Sequence, residues 1–137
     1  MTIENILKEL KSLGACELVN DNISSLKELV ELMFSPQGQE FCENTKCLNA
    51  DKFSKLATDL EFLGVFIDRA NVITSNHNVA FVRSNGKVVC KGVNAVYVVI
   101  IAHNSNVEII ATDYAVVKVV HIDGKCNVIK DSTARIL

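Results

Sequence analysis

The chain has no tryptophan and only two tyrosines among its 137 residues. Flat aromatic platforms on which bases or sugars stack are therefore scarce. Proline occurs once, at Pro36, and the six glycines form neither a G-x-G-x-x-G nor a G-x-x-x-x-G-K loop, which leaves out the familiar phosphate cradles. His77, His103 and His121 lie 26 and 18 residues apart, so no two of them have the short spacing of a metal-binding helix. The longest apolar run, Ala95 to Ala102, is eight residues, against the ~20 that span a bilayer. Met1 to Asn5 lacks the basic patch and apolar run of a secretory signal. Net charge is -2 and the pI ≈ 5.9, which gives neither nucleic acid nor an anionic membrane an electrostatic reason to bind. A cytoplasmic protein is expected.

Five cysteines without an export signal predict reduced thiols, with no structural disulfide. Cys42 and Cys47 form a single loose pair. A zinc site needs a second pair, or a pair of histidines, so neither metal nor other cofactor is expected. Cys90 on an alternating strand and Cys126 just before one read as small buried apolar residues. A Cys–His nucleophile needs only proximity in space. The residues that repeat stacking would gather for it are His103, His121 and Asp123, all of them in or beside turns. Solvated turn residues plus one strand histidine are the simpler account of them, and no catalytic residue is assigned.

What is present is apolar surface. Hydrophobic residues make up 49% and charged residues 22%, the balance of a chain with a packed core. Charge is uneven. Residues 1–70 carry seven Lys/Arg against twelve Asp/Glu, and residues 71–137 carry seven against four. Solvated helix faces rich in Glu explain this, and so would an acidic end of one subunit meeting the basic end of another.

Residues 1–63 read as a helical lobe. Ile3, Ile6, Leu7, Leu10 and Leu13 recur at helical spacing up to Gly14. After Asn20–Asn22, Ser25 and Glu28 make a capping box ahead of the stripe Leu26, Leu29, Val30 and Met33. Ser35–Pro36 ends that helix and starts a third, anchored by Phe41. Asn49 or Asp51 caps a fourth, which carries Phe53, Leu56, Leu60 and Leu63 to Gly64. Helices this short must pack on one another or on the second half.

From Gly64 the apolar period changes to two. Val65–Ile67, Val72–Thr74, Val79–Val82, Val88–Cys90, Val93–Ala102, Val107–Ala111, Ala115–Ile122 and Val128–Ile129 read as strands, separated by Asn, Asp, Gly and Ser corners. Ala95, Ala115 and Ala134 recur after 20 and 19 residues, and Val88, Val107 and Val128 after 19 and 21. The fold class predicted is α+β: a short-helix lobe packed on residues 64–137, which form a solenoid-like, or else meander, repeat of about 20 residues. Leu10, Leu29, Phe53, Leu56, Val99 and Val117 are the expected core. The strand Val93–Ala102 is apolar on both faces, so both must be covered, by the repeat interior on one side and by the helices or a second copy on the other.

Leu7–Cys16 (LKELKSLGAC), Ser35–Cys42 (SPQGQEFC), Gly64–Asp68 (GVFID) and the corner-and-strand stretch Asp113–Val117 (DYAVV) together resemble a group of small proteins from gut anaerobic bacteria and their phages or mobile elements. The resemblance implies a helical lobe followed by β-repeats. It brings no catalytic residues, and a phage origin would imply a virion-associated or host-takeover role.

The function expected is a non-enzymatic interaction or assembly protein acting as a homo-oligomer, its partner a second copy or another protein. The candidate contact residues are Tyr97, Val98, Ile100, Val116 and Val120, with Lys118 at the rim. The alternative is a small-molecule or nucleotide-binding protein with a pocket between lobes or subunits. Arg83, Lys87 and Lys91, near the Asn85–Gly86 turn, are its candidate ligand-binding residues.

Overall fold

The computed structural model describes residues 3–12, 23, 25–45 and 50–137. The expected stop at Gly14, the Asn20–Asn22 junction and the Asn49 cap lie outside these residues. Helix α1 is Ile3–Ser12, and its Ile6 is 1% exposed. Helix α2, Leu26–Met33, starts where the capping box places it: the Ser25 hydroxyl accepts the Glu28 N–H at 3.2 Å. Ser35 caps α3, Pro36–Thr45, by accepting the Gly38 N–H at 3.2 Å, and Pro36 takes the first helical position, where no N–H is needed.

The fourth predicted helix is broken into three: α4 at Ala50–Phe53, a 3₁₀ turn at Ser54–Leu56 and α5 at Ala57–Glu61. Ser54 explains the break, because its hydroxyl donates to the Asp51 carbonyl at 3.0 Å and competes with the helical ladder there. Gly64, at φ 85, ends the helical lobe.

Nine strands follow: β1 Val65–Ile67, β2 Val72–Thr74, β3 Asn78–Val82, β4 Asn85–Lys91, β5 Val96–Ala102, β6 Asn106–Thr112, β7 Val116–His121, β8 Lys125–Lys130 and β9 Arg135–Ile136. The chain passes alternately between two sheets, ordered β1-β3-β5-β7-β9 and β2-β4-β6-β8. Each strand pairs in parallel with the strand two places on, which an up-and-down meander does not do. The offset between partners varies. Val65 pairs with Ala80, 15 residues on; Val96 pairs with Val116, 20 on; Val116 pairs with Arg135, 19 on. Two parallel sheets therefore describe this half better than a repeat of fixed length does.

The alanine series agrees with this register, since Val96 on Val116 and Val116 on Arg135 align Ala95, Ala115 and Ala134. The valine series needs correction. Val88 lies against Ile109 and Ile109 against Val128, whereas Val107 lies against Gly86 and Cys126. An error of two residues keeps every side chain on its own face, so the alternating pattern could not expose it.

Burial follows that alternation. Between the sheets lie Phe66, Val79, Phe81, Val88, Cys90, Tyr97, Val99, Ile101, Val107, Ile109, Ala111 and Val117. On the outer face of the odd-numbered sheet, Val65, Ile67, Ala80, Val82, Val98, Ile100 and Val120 pack against Ile6, Val30, Phe34, Phe53, Ala57 and Leu60 of the helices. The odd-numbered sheet is thus covered on both faces, and the helices of the same chain supply the outer cover. Of the expected core, Phe53, Val99 and Val117 are fully buried, Leu29 and Leu56 are half-buried at its margin, and the Leu10 side chain lies outside those described.

Candidate functional site

One buried corner stack fixes how the strands present their surfaces. The Ser84 hydroxyl lies 2.9 Å from the Phe66 carbonyl and 3.0 Å from that of Val82, and it accepts the Arg69 N–H at 3.0 Å. The Ser105 hydroxyl donates to the Ala102 carbonyl at 2.7 Å and accepts the Ser84 N–H at 3.0 Å. Main-chain bonds run up the same corner, from Asn85 N–H to Arg69, Asn106 N–H to Ser84 and Lys125 N–H to Ser105. With both serines buried, these bonds replace water and lock the register of the even-numbered sheet.

The three candidate ligand-binding cations do not converge. Arg83, at a corner with φ 51, turns its guanidinium to Asp68, through Nε and through Nη2 at 2.7 Å, and to Asp51 of α4 through Nη1 at 2.7 Å. Those carboxylates raise its pKa, and the same bonds hold Asp68 below the usual carboxylate range. Arg83 thus ties the β half to the helical lobe. Lys87, on the outer face of β4, sits 3.6 Å from Glu108 of β6. Lys91 lies four residues further along the same strand, about 13 Å away at the usual rise. Its backbone N–H and C=O both bond the buried Tyr97 hydroxyl, at 3.2 and 3.1 Å.

The contact surface expected on β5 and β7 is also corrected. Tyr97 is 5% exposed between the sheets, and Val98, Ile100 and Val120 are covered by the helices. None of these four can meet a second copy. Val116 and Lys118 remain half-buried. The alternation of β5 and β7 placed the side chains on the correct faces. It could not say that the chain's own helices would occupy the outer one.

Cys42 departs from the thiol expectation: it is buried and disulfide-bonded, with its partner outside the described residues. Cys16 and Cys47 lie there too. Cys90 and Cys126 are free thiols, and burial pushes Cys90 up to about 11 and raises Cys126 as well. Neither is an activated nucleophile. His121 Nε2 lies 2.8 Å from the Gly124 carbonyl, and the Asp123 carboxylate accepts the Asn104 N–H, so both are engaged in corner bonds. Among the described residues no group of three or more His, Cys, Asp or Glu is placed to hold a metal ion. No described helix is long and apolar enough to cross a membrane.

Two surfaces are left. The first is the outer face of the even-numbered sheet. Pairing aligns Ile73, Lys87, Glu108 and Asn127 in one row, Asn85, Asn106 and Lys125 in a second, and Val89, Ile110 and Ile129 in a third. The first row, with Asn85 and Asn106 of the second, borders an open groove of ≈ 510 Å³. The second surface is the C-terminal end of the stack. β8 is the last strand of its sheet, and five of its six residues are exposed. Val128 is 37% exposed, although Ile109 and Val88, its equivalents one and two strands inward, are both at 0%. Ile129 is 51% exposed. Comparison with protein-family models, with curated proteins and with solved structures gives no match.

Proposed function

We propose that this chain is a non-enzymatic interaction protein that assembles with itself through the open end of its β half. The exposure of β8 carries this reading. An edge strand of six residues presents a row of main-chain donors and acceptors, and β8 adds Val128 and Ile129 as uncovered apolar side chains. Lys125 and Lys130 flank that pair and keep the edge soluble. The odd-numbered sheet ends on β9, only two residues long, so little shields the interior beside it. Light scattering coupled to size-exclusion chromatography at micromolar concentration is expected to give at least twice 15.0 kDa. A mass of one chain at every concentration would overturn the reading.

A second reading, a small-molecule site, has the groove beside Lys87 in its favour. With Lys87 matched by Glu108 and asparagines around them, the chemistry suits a neutral polar molecule better than a nucleotide. Backbone and Asn side-chain amide shifts at positions 85, 106 and 127 on adding neutral sugars and amides would support it; an unmoved spectrum would remove it.

A further inference from the structure

We infer that two copies join across a two-fold axis through antiparallel pairing of β8 with β8, centred on Val128. This rests on the reading above and adds the partner, the symmetry and the register.

Main-chain direction comes first. Lys125 N–H bonds the Ser105 carbonyl and Asp131 N–H bonds that of Ala111, so the odd-numbered residues of β8 face β6. By the alternation of a parallel ladder, the N–H and C=O groups of Cys126, Val128 and Lys130 point to the open edge. Centring on Val128 sets it opposite its own symmetry mate, and each Cys126 opposite the other copy's Lys130. All three outward-directed residues then exchange hydrogen bonds. A two-fold axis normal to the sheet also keeps interior faces interior. Val128, Cys126, Val119 and Ile136, all incompletely covered at this end, gain the same residues of the second copy as neighbours.

Charge selects the register. With Val128 at the centre, Lys125 lies opposite Asp131 of the other copy, once at each end. Shifting the centre to Asn127 preserves the faces but puts Asp123 opposite Asp131, twice, and leaves Lys125 against Ile129. Like charges directly opposite destabilise a pair of strands. Asp131 keeps its charge because its carboxylate accepts the Thr133 hydroxyl at 2.6 Å and the N–H groups of Thr133, Asp113 and Ala134, which lowers its pKa. Lys130 does not obstruct the seam, since its ammonium turns to the carbonyls of Asp131 and Ala134, each at 3.4 Å.

Strand length selects the partner. Continuing the stack head to tail would offer β8 the edge of β2, which has three residues against its six. Self-pairing uses the whole strand and closes at two copies, whereas head-to-tail stacking would not close.

The test is site-directed crosslinking of the full chain in a Cys126→Ser background. Opposed Cα atoms of a hydrogen-bonded antiparallel pair lie about 5.5 Å apart, within disulfide reach. Val128→Cys is expected to give a covalent dimer on mild oxidation, while Asn127→Cys and the background protein do not. Crosslinking by Asn127→Cys rather than Val128→Cys would overturn the register, and so would crosslinking by neither in a protein that still has the mass of a dimer. A mass that grows with concentration beyond two copies would overturn the symmetry, and a monomer would overturn the assembly reading as well. Val128→Pro removes only an edge-facing N–H and is expected to give a folded chain of 15.0 kDa. Should that variant unfold, Lys125→Asp, an exposed change that faces Asp131 with a like charge, is expected to weaken dimerisation at least ~10-fold; an unchanged dissociation constant would count against the register.

Discussion

Replacing Gly124 by alanine tests the corner stack that sets the strand register. Gly124 has φ 102, and a Cβ there would stand 2.2 Å from the Ser105 carbonyl oxygen and 2.8 Å from its nitrogen. Ser105 cannot withdraw. It is 1% exposed, its carbonyl accepts the Lys125 N–H at 2.8 Å, and its hydroxyl bridges Ala102 and Ser84. The backbone conformation alone costs a non-glycine residue roughly 1–3 kcal/mol. Relieving the clash breaks at least the Lys125–Ser105 bond, about 0.5–1.5 kcal/mol more. Gly92 is the matched control, with φ 83 and no atom within 4 Å of the position its Cβ would take. Gly92→Ala should therefore show the conformational cost alone. Urea melts followed by circular dichroism are expected to rank the stabilities wild type, Gly92→Ala, Gly124→Ala, with a gap of about 1 kcal/mol or more between the two variants. Equal losses in both would refute the account of a close approach at Ser105.

Val99, at 0% exposure between the sheets, is expected not to tolerate Asp. That change deletes core packing and adds an unpartnered carboxyl, a loss on the order of the ~5 kcal/mol at the low end of domain stability, so little folded protein should remain by circular dichroism. Leu29→Ala, at a half-buried helix position, is expected to cost roughly half the ~2–5 kcal/mol of a fully buried leucine, measured by the same melts. Cys90, with its thiol pushed up to about 11 by burial, is expected to resist alkylation at pH 7.5 in the folded protein and to react within minutes in 6 M guanidinium. Mass spectrometry of labelled peptides reads this directly, and native labelling at the rate of a free thiol would contradict the buried placement.

Much of this fold was legible because period-two alternation is a local property. The eight strands expected between Val65 and Ile129 all appear, and β5 buries Tyr97, Val99 and Ile101 on one side and Val98 and Ile100 on the other, as their spacing requires. Register was less legible, since Val88 could align with Val107 or Ile109 without any side chain changing face. The break at Ser54 was missed because one hydroxyl decides it, and no apolar pattern records that bond. The disulfide at Cys42 was missed for a related reason: cysteine count and spacing speak to compartment and metal, not to which thiols the fold brings together.

The candidate site was legible only in part, because charge carries no address. Arg83, Lys87 and Lys91 lie within nine positions of one another, yet a strand of parallel pairing sends them to a helix-facing corner, a Lys–Glu pair and the far end of β4. Apolarity misled in the opposite sense. The most hydrophobic strand, β5, looked like the interface because it had the most surface to hide, and for that reason it lies at the centre of its sheet, under the helices. Residues available for association are those that stacking leaves over. β8 offers Val128 and Ile129 among Lys, Cys and Asn, a composition too mixed to stand out in the sequence. What distinguishes it is position: Val88, Cys90, Val107, Ile109 and Ala111 of the two middle strands are sealed, whereas β8, like the three-residue β2 at the opposite edge, pairs with one strand only among the described residues. The proposed pairing uses an edge that ends its sheet, is flanked by charge and is apolar at its centre, and so would gain hydrogen bonds and apolar area without disturbing anything the chain has already buried.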